Sequence, residues 1–217
     1  MGIASVGAGP DLARAEQPLL LRTGVGTVGI VAIGESFGHR AADNAGGTLV
    51  MDLATVPRGA AAARAAGADW VIAFAHWGDN YTPINPAQRR FAQEFAAAGY
   101  DMVVASGPHS TQPIEFVGAM PVVYSVGNFV FGTPGRWAQF GAQGLGLVTE
   151  LKLSRDRAPQ VAVRCLVTDH GVVAFQPRFC DPAQAQPFLA TLHPQLRVQG
   201  DTGVLPCPDC FPRRERW

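Results

Sequence analysis

Lysine is nearly missing from this chain: Lys152 is the only one in 217 residues, and all other fixed positive side-chain charge is arginine. Charge of either sign is sparse, at 16% of residues, and 17 basic side chains cancel 17 acidic ones to a formal net charge of +0. Without a basic excess, nothing draws in a phosphate backbone or an anionic bilayer, and nucleic acid is not an expected partner. No apolar run reaches the ~20 residues that a membrane-spanning helix needs. The opening stretch, "MGIASVGAGPDLARAEQP", lacks the basic start and long apolar region of a signal peptide. The chain as written is therefore expected to stay cytoplasmic. No internal repeat or interdomain linker breaks the sequence. Hydrophobic residues, at 47%, suffice for one sizeable core.

Cysteine is also scarce, with four residues. Cys165 lies in an alternating apolar run and reads as a buried thiol. "CPDC", residues 207–210, is a single CxxC, whereas a structural zinc site usually takes two such pairs. Cys180 or His193 would have to complete it. A tail disulfide or two free thiols is the expectation.

Glycines and β-branched residues in "GVGTVGIVAIG", 24–34, predict a core strand. "VPRGAAAARAAG", 56–67, predicts a helix, and "ADWVIAFAH", 68–76, a second core strand. "NPAQRRFAQEFAAAG", 85–99, is a helix with Asn85 as N-cap, Pro86 in the first turn and Gly99 as stop. Phe91 and Phe95 share one face, while Arg89, Arg90 and Glu94 stay wet. "YDMVVAS", 100–106, is a third core strand. Strand, helix and strand in that order make a βαβ unit with a parallel pair. A hairpin around Gly118, a second hairpin over 145–169 and a short helix over 181–192 follow. The expected organisation is one α/β domain over residues 1–200 and an extended Pro/Cys-rich tail over 201–217.

Functional residues in parallel sheets gather beyond the carboxyl ends of the strands. His76 ends one predicted strand in "AHWGDNY", and His109 lies just past the next in "SGPHSTQP". Neutral imidazoles bind Mn, Zn or Fe, so this rim is the candidate metal site. Asp79, three residues after His76, is a candidate ligand or catalytic-site carboxylate. Asn128 in "SVGNFVF" follows another strand and offers an amide oxygen. Trp77 reads as rim packing, and His39, His170 and His193 as structural. "GAGPD", 7–11, is a weak phosphate loop, lacking a third spaced glycine.

Several ordered pieces resemble the bacterial capsule-synthesis protein CapA family, linked to poly-γ-glutamate production and similar to calcineurin-like metallophosphoesterases. They are "GAGPDLARAEQP" with "VGIVAIG", the run from "AHWGDNY" through "QRRF", "AAGYD" and "GPHSTQPIEF", and "VVYSVGNFVF". The resemblance covers roughly residues 2–175. It implies a partial metallophosphoesterase-like α/β sandwich, a parallel βαβ core followed by antiparallel hairpins. It puts the family's His-Trp-Gly histidine on His76 and the last histidine of Gly-His-His-Pro-His on His109, both implied as ligands of a mono- or dinuclear divalent centre. The family's Gly-Asn-Phe asparagine falls on Asn128. A metal-dependent hydrolase acting on a phosphoryl or acyl centre is the implied activity.

Two departures stand beside it. "ASGPH" carries Ser106 and Gly107 where the family has two earlier histidines. The family's Gly-Asp strand end, Gly-Asn-Leu-Glu turn and Asn-Asn-His segment do not occur, so the chain is expected to enter the fold partway and leave an apolar sheet edge open. The competing expectations are a non-catalytic subunit that holds an anionic polymer or an envelope-biosynthesis partner through Arg89, Arg90 and Arg136, and a truncated, silent fragment.

Overall fold

The computed structural model describes residues 2–35, 38–133, 135–154, 159–207 and 209–210. The chain begins with β1 (Ala8–Gly9), α1 (Leu12–Ala15), β2 (Leu19–Thr23), β3 (Gly26–Gly34) and β4 (Gly47–Thr48). The central run is α2 (Thr55–Ala65), β5 (Trp70–His76), α3 (Pro86–Ala97) and β6 (Met102–Ser106). Then come β7 (Thr111–Val117), β8 (Met120–Val126), a 3₁₀ turn at Arg136–Phe140, β9 (Leu145–Lys152) and β10 (Gln160–Val167). The last elements are α4 (His170–Val173), β11 (Arg178–Phe179), α5 (Pro182–Ala190), β12 (Arg197–Gln199) and β13 (Thr202–Pro206).

Six strands form the main sheet in the order β2-β3-β5-β6-β8-β7. The four inner strands are mutually parallel, and the edge strands β2 and β7 run antiparallel to their neighbours. The expected βαβ unit is β5-α3-β6. The second sheet is wholly antiparallel: β9 lies along one side of β10, and β13 and β11 share the other. This is the mixed α/β architecture that the sequence implied.

Alternation along each inner strand divides the side chains between two cores. On β5 and β6, Val71, Ala73, Ala75, Val103 and Ala105 face the helical side with Val56, Ala60 and Phe95. Trp70, Met102 and, from β8, Val123 face the second sheet with Val161, Val163 and Leu205. Small residues on the helical face let α2 and α3 approach closely. Trp77 is 0% exposed, a core residue rather than rim packing, and its Nε1–H donates to the Tyr124 carbonyl at 2.8 Å. Truncation of such a residue costs about 3–5 kcal/mol.

Local chemistry sets the element ends. Asn85 Oδ1 accepts the Gln88 N–H at 2.9 Å, and Gln88 Oε1 accepts the Asn85 N–H at 3.0 Å, a capping box that starts α3. Arg64, at the end of α2, bonds Asp101 Oδ2 at 2.5 Å, and the same oxygen accepts the Val71 N–H at 2.7 Å. That pair ties α2 to the starts of β5 and β6, so the strands end in step at the opposite rim. Asp11 of "GAGPD" caps α1 by accepting the Arg14 N–H at 2.8 Å.

Two expectations change. Cys165 is not a free thiol: it is disulfide-bonded to Cys180, because β10 and β11 pair there and the Cα atoms are 5.4 Å apart. That bond also removes Cys180 from any zinc site with "CPDC", whose Cys207 and Cys210 are bonded to each other. The stretch expected as a tail from residue 201 contributes β13, paired with β10 and carrying the fully buried Leu205. Residues 211–217 of that stretch lie outside the described residues. At the β2 edge Leu21 is 45% exposed.

Candidate functional site

Four parallel strand ends converge on one rim. His76 closes β5 in register with Gly34 of β3 and Ser106 of β6. Glu35 follows β3, and its N–H donates to the His76 carbonyl at 2.8 Å. Its Oε2 accepts the Gly78 N–H at 3.2 Å, bracing the loop after β5. Ser106 Oγ lies 3.3 Å from His76 Nδ1.

His109 follows β6 with φ at +59°, a left-handed backbone that is uncommon outside glycine. Asn128, after β8, holds it. Its Nδ2 donates to the His109 carbonyl at 3.1 Å, which identifies Oδ1 as the atom 2.8 Å from His109 Nδ1. In the neutral ring Nδ1 therefore carries the proton, and Nε2 presents the lone pair. The ring lies against Phe131, with centroids 4.5 Å apart, and near Tyr81, at 5.9 Å. Tyr81 is itself stacked on Phe140 at 4.4 Å.

His76 and His109 are electrostatic neighbours. Burial pushes the His76 imidazole below its ordinary value of 6.5, the positive charge on His109 pushes it further, and Glu35 partly opposes both. Asp79 occupies the same loop, but its Oδ2 accepts from Asn85 Nδ2 at 2.9 Å and so anchors the loop to the α3 cap.

The expected metal centre meets a shortage of ligands. Among the described residues, no group of three His, Cys, Asp or Glu side chains is placed to hold an ion. Two imidazoles fall short of the three protein ligands that a catalytic zinc commonly takes. Gly107 deepens the departure from the family pattern. Its φ is +132°, and a Cβ there would lie 2.1 Å from the Trp77 carbonyl oxygen. No histidine fits this backbone at that position. The described residues do not by themselves build the Mn, Zn or Fe site that the resemblance implies.

Sequence reasoning marked His76, His109 and Asn128, and the structure brings them to one rim. It left Glu35 unmarked, although its place directly after a parallel strand was a usable signal. His170 and Trp137, in the wall beside His109, carried no local signal at all.

Among solved structures, the sulfate thiohydrolase SoxB of Thermus thermophilus aligns over 83% of this chain and 30% of its own, with 18% identity and a TM-score of 0.45. That likeness is too slight to argue from. Among curated proteins, the PGA biosynthesis protein CapA of Bacillus subtilis is 42% identical over 65 residues, 30% of this chain. A probable polyglutamine synthesis accessory protein of Mycobacterium tuberculosis is 35% identical across 59% of this chain. The chain spans only 17% and 37% of the lengths of these two relatives. Residues 1–133 match the family of the bacterial capsule synthesis protein PGA_cap, more than half of the chain, and the protein belongs to that family.

Proposed function

We propose that this chain serves capsule or poly-γ-glutamate biosynthesis as a hydrolase-type component in which His109 moves a proton at a phosphoryl or acyl centre. The Asn128 clamp carries this reading: one side chain fixes both the ring and the backbone of His109 and leaves the Nε2 lone pair to act. Such an imidazole takes a proton from an attacking water and returns it to the leaving group. His76, whose imidazole burial pushes below its ordinary value of 6.5, is the second nitrogen base on the rim. Family membership and the relatives' names, a PGA biosynthesis protein and a probable polyglutamine synthesis accessory protein, support the biosynthetic setting. An accessory role beside an envelope-biosynthesis partner fits the same names.

The non-catalytic reading is weaker on one specific point. It needs Arg89, Arg90 and Arg136 as a cationic groove for an anionic polymer, but the Arg89 guanidinium is already paired with Glu115.

The test joins metal analysis to turnover. Elemental mass spectrometry of the purified chain would be run beside assays with p-nitrophenyl phosphate and poly-γ-glutamate. The expected result is turnover that falls about 10²–10⁴-fold in His109→Ala. A well-folded wild type that turns over neither substrate would sink the hydrolase reading. Near-stoichiometric metal lost in both His76→Ala and His109→Ala would restore a metallophosphoesterase-like mechanism.

A further inference from the structure

Behind His109, a cavity of about 10 Å³ lies between the loop after β8 and the end of β10. His109 and Asn128 form part of its lining, with Trp137, Gly144, Thr168 and His170. Its volume suits a single oxygen-sized occupant. Two N–H groups on the lining residues are buried without an acceptor among the described residues: Trp137 Nε1 and His170 Nδ1. The His170 tautomer follows from its other nitrogen. Nε2 accepts the Phe131 N–H at 2.6 Å, so the neutral ring carries its proton on Nδ1. Indole Nε1–H can only donate. His170 is 5% exposed, so any acceptor for its Nδ1 has to sit inside the fold.

Buried donors without acceptors are rare in folded proteins, and two on residues that line one small cavity point to a place where an acceptor belongs. The wall is shaped for this. A Cβ at Gly144 would stand 2.9 Å from Trp137 Nε1, so only glycine leaves the indole edge uncovered. Phe175 is stacked on His170 at 4.5 Å, and Phe131 belongs to the lining itself.

We propose that this cavity is an oxyanion pocket, in which Trp137 Nε1–H and His170 Nδ1–H donate to one oxygen of a carboxylate or phosphate group on the ligand that the His109 rim receives. The inference deepens the functional reading above and rests on it only for which ligand arrives; the two donors stand on the geometry alone. An anion seated there would have its oxygen beside His109 and Asn128, which places the rest of the ligand at the rim.

The experiment titrates the full chain with oligo-γ-glutamate in one arm and inorganic phosphate in the other, following the Trp137 indole proton by ¹⁵N-resolved NMR and the affinity by calorimetry. One arm should saturate and move the indole proton downfield, the arm identifying carboxylate or phosphate as the source. Trp137→Phe, which keeps a ring and loses the donor, should weaken that binding tenfold or more with an unchanged circular dichroism spectrum. If neither anion moves the indole proton at millimolar concentration, or if Trp137→Phe binds as tightly as wild type, the cavity holds a structural water and the proposal is overturned. The wild-type shift decides the question even if the variant fails to fold. Binding without hydrolysis leaves this inference standing and removes the hydrolase reading; hydrolysis without an indole shift does the reverse.

Discussion

Replacing Asn128 with alanine removes both halves of the clamp on His109. The lost bonds are 2.8 Å to Nδ1 and 3.1 Å from Nδ2, each partly buried. At about 0.5–1.5 kcal/mol net per bond, the loss is about 1–3 kcal/mol of folding stability. For a chain of this size that lowers the melting temperature by about 2–4 °C per kcal/mol. The second readout is more specific. With no acceptor at Nδ1 the His109 ring is free to exchange tautomers, and the backbone at φ +59° loses the donor that held its carbonyl. Urea denaturation measures the first effect, and long-range ¹⁵N–¹H NMR of the imidazole measures the second. Asn128→Asp is the comparator, since it keeps an acceptor for Nδ1–H and loses the donor to the carbonyl. Stability unchanged within about 0.5 kcal/mol, together with an unchanged single tautomer, would refute the clamp and the role of His109 built on it.

Gly107→Ala should be costly, because φ is +132° and the new methyl would meet the Trp77 carbonyl at 2.1 Å; strain on the order of 1–3 kcal/mol plus the clash predicts a clearly lowered urea midpoint, and a wild-type midpoint would contradict the close approach. Thiol titration of the denatured, unreduced protein should find no free Cys165 or Cys180. Replacing both by alanine should cost about 3 kcal/mol for a closed loop of separation 15, a contribution that a reducing compartment would also remove. His76 titrates below 6.5 in the folded state, so the unfolded chain binds its proton more readily and this residue withdraws stability as pH falls through 6.5, with no penalty above it. NMR titration should show the His76 midpoint rising in His109→Ala; a midpoint that does not move would separate the two histidines electrostatically.

Much of the fold was legible because its rules are local. Asn85 with Pro86 and Asp181 with Pro182 start helices wherever their neighbours allow, and the β5-α3-β6 order requires a parallel pair. The rim position of His76 and His109 followed from that order. The Cys165–Cys180 bond was not legible, since it depends on which strand lies beside β10. Nor was the place of β13, whose glycine- and proline-rich flanks read as a tail until pairing with β10 fills its backbone bonds and buries Leu205.

The sequence alone determined the α/β class, the strand ends that carry the histidines, and the family pattern from which Ser106 and Gly107 depart. Only the tertiary structure decided what surrounds those histidines. Asn128 meets His109 across 19 positions of sequence, and Trp137 and His170 reach the same wall from the 3₁₀ turn and from the start of α4. Tautomer, ligand count and unsatisfied donors are properties of side chains brought together from distant positions, and no local spacing encodes them.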